Sequence, residues 1–463
     1  MMNKGKETGG KYLSASDIRV GVLFLRRKRP GFDPEWGKKV ESAARAALAK
    51  SEFSVFICEE RIVDDASLRR ALQECSQAQT DVLLVLQPTM SDGRMAPVLG
   101  QMWDAPAVLW ATPEKKEGSM ISACSLVGAH TFASTLRQLN RPFELVYGFP
   151  GTEDTEAQLN AAIRIAYTVR RLQKGKAGLV GYHAPGFIDM HADPFQMNRE
   201  LGLQLHHFSL QEFLHTMQEF SREEVDRDMA IVADMRLPRE EVSVEELETA
   251  SRYYLAMARM IERENLSALA VRDWPELSDM VGQWPYLAMA RLSSEGFAVG
   301  CEGDVDGAIS CLIGGGLGMG VGYLSDWLEH TGETVTLWHG GNAPFQLCEP
   351  VGSKYGPRIA KHFNNKKPAV VNANLKAGLP ITIFRIWHCD DIYHMMAFEA
   401  ETIPPERELK GTNGLARVRD RDVCQWFDDL CQAGMPHHVA VFPGQHAKLL
   451  QRLARQLNIN WIG

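Results

Sequence analysis

Ile18-Arg19-Val20-Gly21-Val22-Leu23-Phe24-Leu25 reads as a buried strand, and the alternation that follows it decides the fold. Residues 35–50 read as a helix, Phe53 to Ile57 as a strand, and Asp81 to Gln87 as another strand after a helix. Pro106 to Thr112 and Glu144 to Phe149 continue the series, closed by a helix over about Thr155 to Gln173. Strands separated by helical segments imply parallel βαβ units and an open, doubly wound sheet. A second series starts at Ala177-Gly178-Leu179-Val180-Gly181-Tyr182, and the basic Gln173-Lys174-Gly175-Lys176 marks the boundary. It continues with a long helix from Val244 to Arg263 and a short strand from Ala268 to Val271. After His339 the segments Val370–Ala373, Ile381–Ile386 and Tyr393–Phe398 are β-rich and separated by turns, as in an antiparallel sheet or small barrel. A helix over about Gln445 to Leu457 and a short strand near the end complete the chain. The expected class is α/β: two doubly wound parallel-sheet domains, residues 1–176 and 177–340, then a β-rich antiparallel or barrel-like C-terminal domain, residues 341–463.

The chain has 463 residues, 45% of them hydrophobic, and no apolar stretch approaching the ~18 residues of a membrane span, so a large water-soluble protein of two or three domains is expected. Residues 1–11 carry no apolar core of the signal-peptide type, which makes the cytoplasm the expected location. Nine scattered cysteines without a CxxC motif point to reduced thiols. A net charge of −8 disfavours a nucleic-acid partner, because binding a polyanion relies on a basic surface. No GxGxxG follows the first strand, and no Lys-Ser/Thr follows Gly314-Gly315-Gly316-Leu317-Gly318, so neither a dinucleotide site nor a P-loop is expected. Those glycines are read instead as letting a helix end against a cleft. His206-His207 reads as a helix-prone surface stretch, and His388-Cys389-Asp390-Asp391 as satisfied polar groups on a hairpin.

The chemistry concentrates late in the chain. Glu302, in Cys301-Glu302-Gly303-Asp304-Val305-Asp306-Gly307-Ala308, stands where a strand gives way to a helix. Asp326 lies in Tyr323-Leu324-Ser325-Asp326-Trp327, and Thr334 to Trp338 reads as a strand delivering His339 at its exit. In His437-His438-Val439-Ala440-Val441-Phe442 side chains alternate across a strand, so one histidine of the pair faces a given site and the periodicity does not choose which. Carboxylates with one or two imidazoles suit Mn²⁺, and also Mg²⁺ or Co²⁺, better than a structural zinc site. Cys301 is read as a small buried hydrophobe, since adjacent strand residues point to opposite faces.

Taken together, CEGDVDGA, YLSDW, LWHGGNAP and GMPHHVAVFPGQH resemble the active-site blocks of the L-fucose isomerase family, with L-arabinose isomerases as more distant relatives. The resemblance covers roughly residues 177–463, including Gly181-Tyr182-His183-Ala184-Pro185-Gly186-Phe187. It implies an Mn²⁺-dependent ketol isomerase, an intramolecular oxidoreductase, with Glu302, Asp326 and His438 as metal ligands and the two acids also moving protons. His339 matches a fourth ligand of the arabinose branch. The resemblance further implies a homo-oligomer, trimer or hexamer, in which the first domain of one subunit closes a neighbour's cleft. His437, Asn342, Arg385 and Arg417 are the candidate substrate contacts, the two arginines having a structural ion pair as their alternative role. The chain is shorter than familiar L-fucose isomerases, and His437 and Arg272-Asp273-Trp274-Pro275 depart from the pattern, which opens the identity of the sugar more than the reaction. Three readings follow: an isomerase of a free sugar such as fucose or arabinose, the same reaction on an anionic sugar such as sulfoquinovose, or a non-catalytic sugar-binding protein.

Overall fold

The computed structural model describes residues 14–28 and 31–463; the reading of residues 1–11 lies outside them. The first sheet consists of β1 (Arg19–Phe24), β2 (Ser54–Ile57), β3 (Val82–Leu86), β4 (Ala107–Ala111) and β5 (Phe143–Tyr147), all parallel, in the order β2-β1-β3-β4-β5. Its central strands are apolar throughout because both faces are covered. Leu83 and Val85 enter one core while Val82, Leu84 and Leu86 enter the other, and β1 divides in the same way, with Leu23 on one side and Val20, Val22 and Phe24 on the other.

The helix Glu153–Lys174 joins this unit to the rest. Leu159, Ala162, Ile163 and Ala166 face the first sheet, whereas Ile165, Val169 and Leu172 belong to the core of the following one. A helix apolar on two sides is buried on two sides. The second sheet repeats the doubly wound pattern with β6 (Lys176–Val180), β7 (Gln204–Phe208), β8 (Ala268–Val271) and β9 (Ala298–Gly300), parallel and ordered β7-β6-β8-β9. His206 and His207 therefore lie on a strand and not in a helical stretch: backbone pairing with β6 outweighs the local polar composition.

The last third forms β10 (Tyr323–His330), β11 (Thr334–His339), β12 (Arg358–Ala360), β13 (Val370–Asn374), β14 (Pro380–Cys389), β15 (Ile392–Ile403), β16 (Thr412–Arg417), β17 (His438–Pro443) and β18 (Asn460–Trp461). Pairing runs β16-β11-β10-β17-β14-β15, and β15 returns to β16, so six antiparallel strands close into a barrel. Closure leaves these six without the exposed edges of an open sheet. Tyr323, Val335, Leu337, Ile383, Trp387, Val439 and Val441 form one core, while Leu324, Phe384, Ile386, Ala440 and Phe442 pack with the second α/β unit. The architecture is that of the expected class: two parallel-sheet α/β units followed by an antiparallel barrel. Among the described residues no helix is long and apolar enough to cross a membrane.

A second expectation is corrected. The glycines at 314–318 do not end their helix, Val305–Gly316, against a cleft. A Cβ on Gly314 would stand 2.2 Å from the Phe442 ring, and one on Gly316 would stand 2.8 Å from Thr168 Oγ1. These glycines let the helix approach β17 and the Glu153–Lys174 helix. It is the N-terminal end that faces the functional groups.

Candidate metal centre

In open α/β sheets the crevice beyond the carboxyl ends of the strands, where strand order reverses, is the usual ligand site. In the second sheet this is the region after β6, β8 and β9, and barrel strands β10, β11 and β17 close over it. Glu302 follows β9 and sits in the left-handed region, with φ of +58°. Three contacts hold it there: Ala184 N–H donates to Glu302 O (2.8 Å), Glu302 N–H donates to Asp273 Oδ1, and Gly303 N–H donates to Val271 O (2.9 Å). Gly303 is also left-handed, and a Cβ there would stand 2.2 Å from Tyr182 O. The loops after all three strands thus meet at one turn.

The barrel supplies the remaining donors. Asp326 on β10 lies directly opposite His438 on β17, and His339 ends β11. Asp326 Oδ1 stands 3.3 Å from His438 Nε2 and 3.9 Å from His437 Nε2. Glu302 Oε2 stands 3.6 Å from His438 Nε2 and 3.9 Å from His437 Nε2, and Glu302 Oε1 lies 4.0 Å from His339 Nε2. The structure therefore gathers Glu302, Asp326, His339, His437 and His438 around one point. His437 and His438 both reach it because His437 precedes the strand and is drawn in by Asp189, whose Oδ2 accepts from its Nδ1 at 2.8 Å.

Several of these atoms are buried without a hydrogen-bond partner: Glu302 Oε2, His437 Nε2 and His438 Nε2. Each such orphan costs roughly 1–3 kcal/mol unless something else satisfies it. Donors bound about 2.1 Å from one divalent cation lie roughly 3 to 3.5 Å apart, so orphans 3.6–3.9 Å apart, with Asp326 Oδ1 3.3–3.9 Å from the two histidines, fit the periphery of a cation site. Burial alone would push the His438 imidazolium pKa down, but the carboxylates of Asp304 and Asp326 outweigh it and hold the pKa up at about 10. A proton and a cation are alternative occupants of the same Nε2 lone pair.

Behind His438 stands a group the sequence reading passed over. Asp304 accepts from His438 Nδ1 (2.9 Å), Arg385 Nη1 (2.6 Å), Arg385 Nη2 (2.9 Å) and Gly307 N–H (2.8 Å), which fills all four of its lone-pair directions. It caps the Val305–Gly316 helix and directs the Nε2 lone pair of His438 into the site, the arrangement that orients metal-binding histidines. The sequence does signal the cap, an Asp three residues before Gly307. It carries no signal for the two long-range partners.

The remaining candidates fall in different places. Arg385 is fully buried and forked onto Asp304, so it serves the ion pair and does not reach the cleft. Arg417 is exposed opposite Thr334, at the end of β11 away from His339, and the structure does not bring it to the cluster. Asn342 is buried, with its amide nitrogen 3.6 Å from Cys301 Sγ and 3.4 Å from Leu324 O, and its oxygen has no partner. Asp273, in the departing Arg-Asp-Trp-Pro segment, is fully buried; burial, then the charge of Glu302, pushes its pKa up to about 7. Phe187, in the Gly181–Phe187 segment, packs on His437 with ring centroids 4.6 Å apart.

Cys301 is buried as expected, but it does not face away from the site. Its Sγ lies 3.1 Å from His339 Nε2, inside the cluster. Alternation across an extended strand would turn it away, but the left-handed Glu302 breaks the extended path and brings both side chains toward His339.

A fold with such a donor set could hold a cation in a cleft closed by the barrel, and comparison with known proteins narrows what it serves. Residues 190–313 match the family described as L-arabinose isomerase central domain. The chain is 28% identical over 447 residues to the sulfoquinovose isomerase of Priestia megaterium, covering 95% of this chain and 98% of that one. It is 25% identical over 394 residues to the sulfoquinovose isomerase of Alkalicoccus urumqiensis, covering 84% and 87%. The L-arabinose isomerase of Thermotoga neapolitana matches at 22% identity over 232 residues, 49% of this chain and 46% of that one. These similarities support a place among the sugar isomerases, reached through sulfoquinovose and L-arabinose isomerases and not through L-fucose isomerases specifically.

Proposed function

We propose that the protein is a divalent-metal-dependent aldose–ketose isomerase. The observation that carries this reading is the convergence of unpartnered, buried Glu302, His437 and His438 donors on Asp326, in a chain matched along nearly its whole length by isomerases. A protein that only binds sugar has no need to bury such orphans.

Glu302, Asp326 and His438 would hold the cation, with His339 and His437 at its margin, and Mn²⁺ suits the oxygen-rich set. When bound, the cation supplies Lewis-acid stabilisation of the negative charge developing on the two sugar oxygens. One of the two carboxylates removes the C2 proton of the aldose and delivers a proton to C1, in part after exchange of the carboxyl proton with solvent, while the O2 proton passes to O1. General-base catalysis of this kind contributes roughly 10²–10⁴ in rate. The turn after β9 fixes the backbone of Glu302, and the β10–β17 register fixes that of Asp326 opposite His438, so the two carboxylates approach the proposed cation from different elements.

A second reading concerns the substrate. The near full-length relatives are sulfoquinovose isomerases, which favours a sugar bearing an anionic substituent over fucose or arabinose. A homo-oligomer, trimer or hexamer, is the assembly expected with this activity. The test is a panel of sulfonated, deoxy and unmodified sugars incubated with Mn²⁺ in deuterated water. Deuterium should appear at the carbon next to the carbonyl for at least one of them. Glu302→Gln and Asp326→Asn should each abolish turnover in a folded protein, and unimpaired turnover in either would refute the assignment.

A further inference from the structure

We infer that Cys301 makes this a centre with two overlapping cation positions: a carboxylate-bearing one around Glu302 and Asp326, and a thiolate-bearing one formed by Cys301, His339 and His438 that takes soft or borderline cations such as Zn²⁺, Co²⁺ and Cd²⁺. The inference rests on the cluster being a cation site, as above, and not on the isomerase reaction.

Two groups of donors carry it. One ligand atom each from Cys301, His339 and His438 lies within 4.8 Å of the others, and the same holds for Glu302, His437 and His438. His438 belongs to both. Cys301, His339 and His438 are all buried, so a cation among them is shielded from water. With Nδ1 of His438 donating to Asp304, its Nε2 is the free donor, and Cys301 Sγ already stands 3.1 Å from His339 Nε2. Sulfur and nitrogen bound tetrahedrally to zinc, at about 2.3 and 2.0–2.1 Å, lie roughly 3.5 Å apart. The pair therefore needs to open by only a few tenths of an ångström. Glu302 would remain next to this position, with Oε1 4.0 Å from His339 Nε2, as a fourth donor or as the neighbour of an open position.

The chemistry separates the two positions. Thiolate and imidazole favour soft and borderline ions, whereas carboxylates favour Mn²⁺ and Mg²⁺. On coordination the Cys301 sulfur binds through a lone pair and its proton leaves to solvent. Because His438 cannot serve both positions, a soft cation displaces Mn²⁺ by taking a ligand from it.

The experiment titrates chelator-treated protein with Co²⁺ and, separately, with Cd²⁺ and Mn²⁺. Near-ultraviolet sulfur-to-metal charge-transfer absorption should appear with Co²⁺ and Cd²⁺ and saturate at one ion per chain. Cys301→Ser and Cys301→Ala should lose that absorption and bind Co²⁺ at least about tenfold more weakly, while Mn²⁺ affinity and the circular dichroism spectrum stay as in the parent. Two results overturn the inference: no thiolate band in the parent protein, or a band that persists in both variants and so arises from another cysteine, such as the exposed Cys424 or Cys431. Where neither variant folds, the X-ray absorption spectrum of the parent protein at one Co²⁺ per chain, with Cys424 and Cys431 replaced by Ser, decides: one sulfur together with imidazole nitrogens around the cobalt supports the inference, and absence of sulfur overturns it. Failure of the sugar panel leaves each of these outcomes readable, since none depends on turnover.

Discussion

Replacing Asp304 by Asn tests whether the ion pair beneath His438 directs the site or merely fills space. The carboxylate accepts four hydrogen bonds and the amide can accept two, so its NH₂ group must face two donors. In one orientation the amide nitrogen confronts His438 Nδ1, which then has to accept; the ring proton moves to Nε2 and the metal-facing lone pair is lost. In the other orientation the Gly307 N–H and one Arg385 nitrogen lose their partner. Either way the Arg385 guanidinium, wholly buried, loses its counter-charge, which costs about 3–5 kcal/mol of stability. Loss of an outer partner of a metal-binding histidine weakens the metal about 10–100-fold, or roughly 1.4–2.7 kcal/mol. The two effects separate in the double variant Asp304→Asn, Arg385→Met, which removes the stranded cation: denaturant unfolding should show most of the stability recovered, while Mn²⁺ titration calorimetry still shows the weakened affinity. A folded Asp304→Asn protein that binds Mn²⁺ as tightly as the parent would refute the reasoning.

Asp228→Ala strands a different guanidinium, that of Arg291, which is 2% exposed and forked onto Asp228 at 2.7 and 2.8 Å; denaturation should show a loss of about 3–5 kcal/mol with an unaltered metal titration. Asp189→Ala frees His437 Nδ1 and should lower kcat/KM by about tenfold, the scale of losing a group that orients a metal-site histidine, with a small change in melting temperature, because the pair is partly exposed. His388 gives a pH signature. Burial lowers its pKa, but the hydrogen bond and charge of Asp306 outweigh this and the net shift is upward. A raised histidine contributes stability that is fully present below the unfolded pKa of about 6.5 and is lost as pH rises through the folded value. Melting temperature should accordingly fall over that window in the parent and be flatter in His388→Gln; identical slopes would sink the assignment.

The first two layers of the fold were legible because their strands are covered on both faces. Runs such as Val82-Leu83-Leu84-Val85-Leu86 admit few other readings when bounded by helical segments. The barrel was legible only as β-rich, since its closure depends on β15 returning to β16, a pairing that no local pattern encodes. At the site, Glu302, Asp326, His339 and the His437–His438 pair could be picked out because carboxylate and imidazole are common ligands of divalent cations. Asp304 and Arg385 could not be assigned to one another: 81 residues separate them, and each has an adequate local explanation, as a helix cap and as a strand residue. His206 and His207 were misplaced for the same reason, because the partner strand that fixes them is not contiguous with them.

The misreading of Cys301 has a more specific cause, and it bears on how the site works. Alternation holds while successive residues stay extended, and Glu302 does not. A non-glycine residue in the left-handed region costs roughly 1–2 kcal/mol, and such strain persists where the surroundings fix it and often where function uses it. Here Ala184, Asp273 and Val271, from the loops or ends of β6 and β8, bond the backbone at Glu302 and Gly303. The carboxylate is thus positioned by main-chain contacts to two strand ends and not by its own side-chain torsions alone, which suits the role proposed for it, holding a cation while presenting an oxygen to a carbon-bound proton. A glutamate on an extended strand would have one of these freedoms settled by the pleat. On this turn the scaffold settles the backbone and leaves the carboxylate, with Cys301 beside it, facing His339 and the point where the barrel histidines meet.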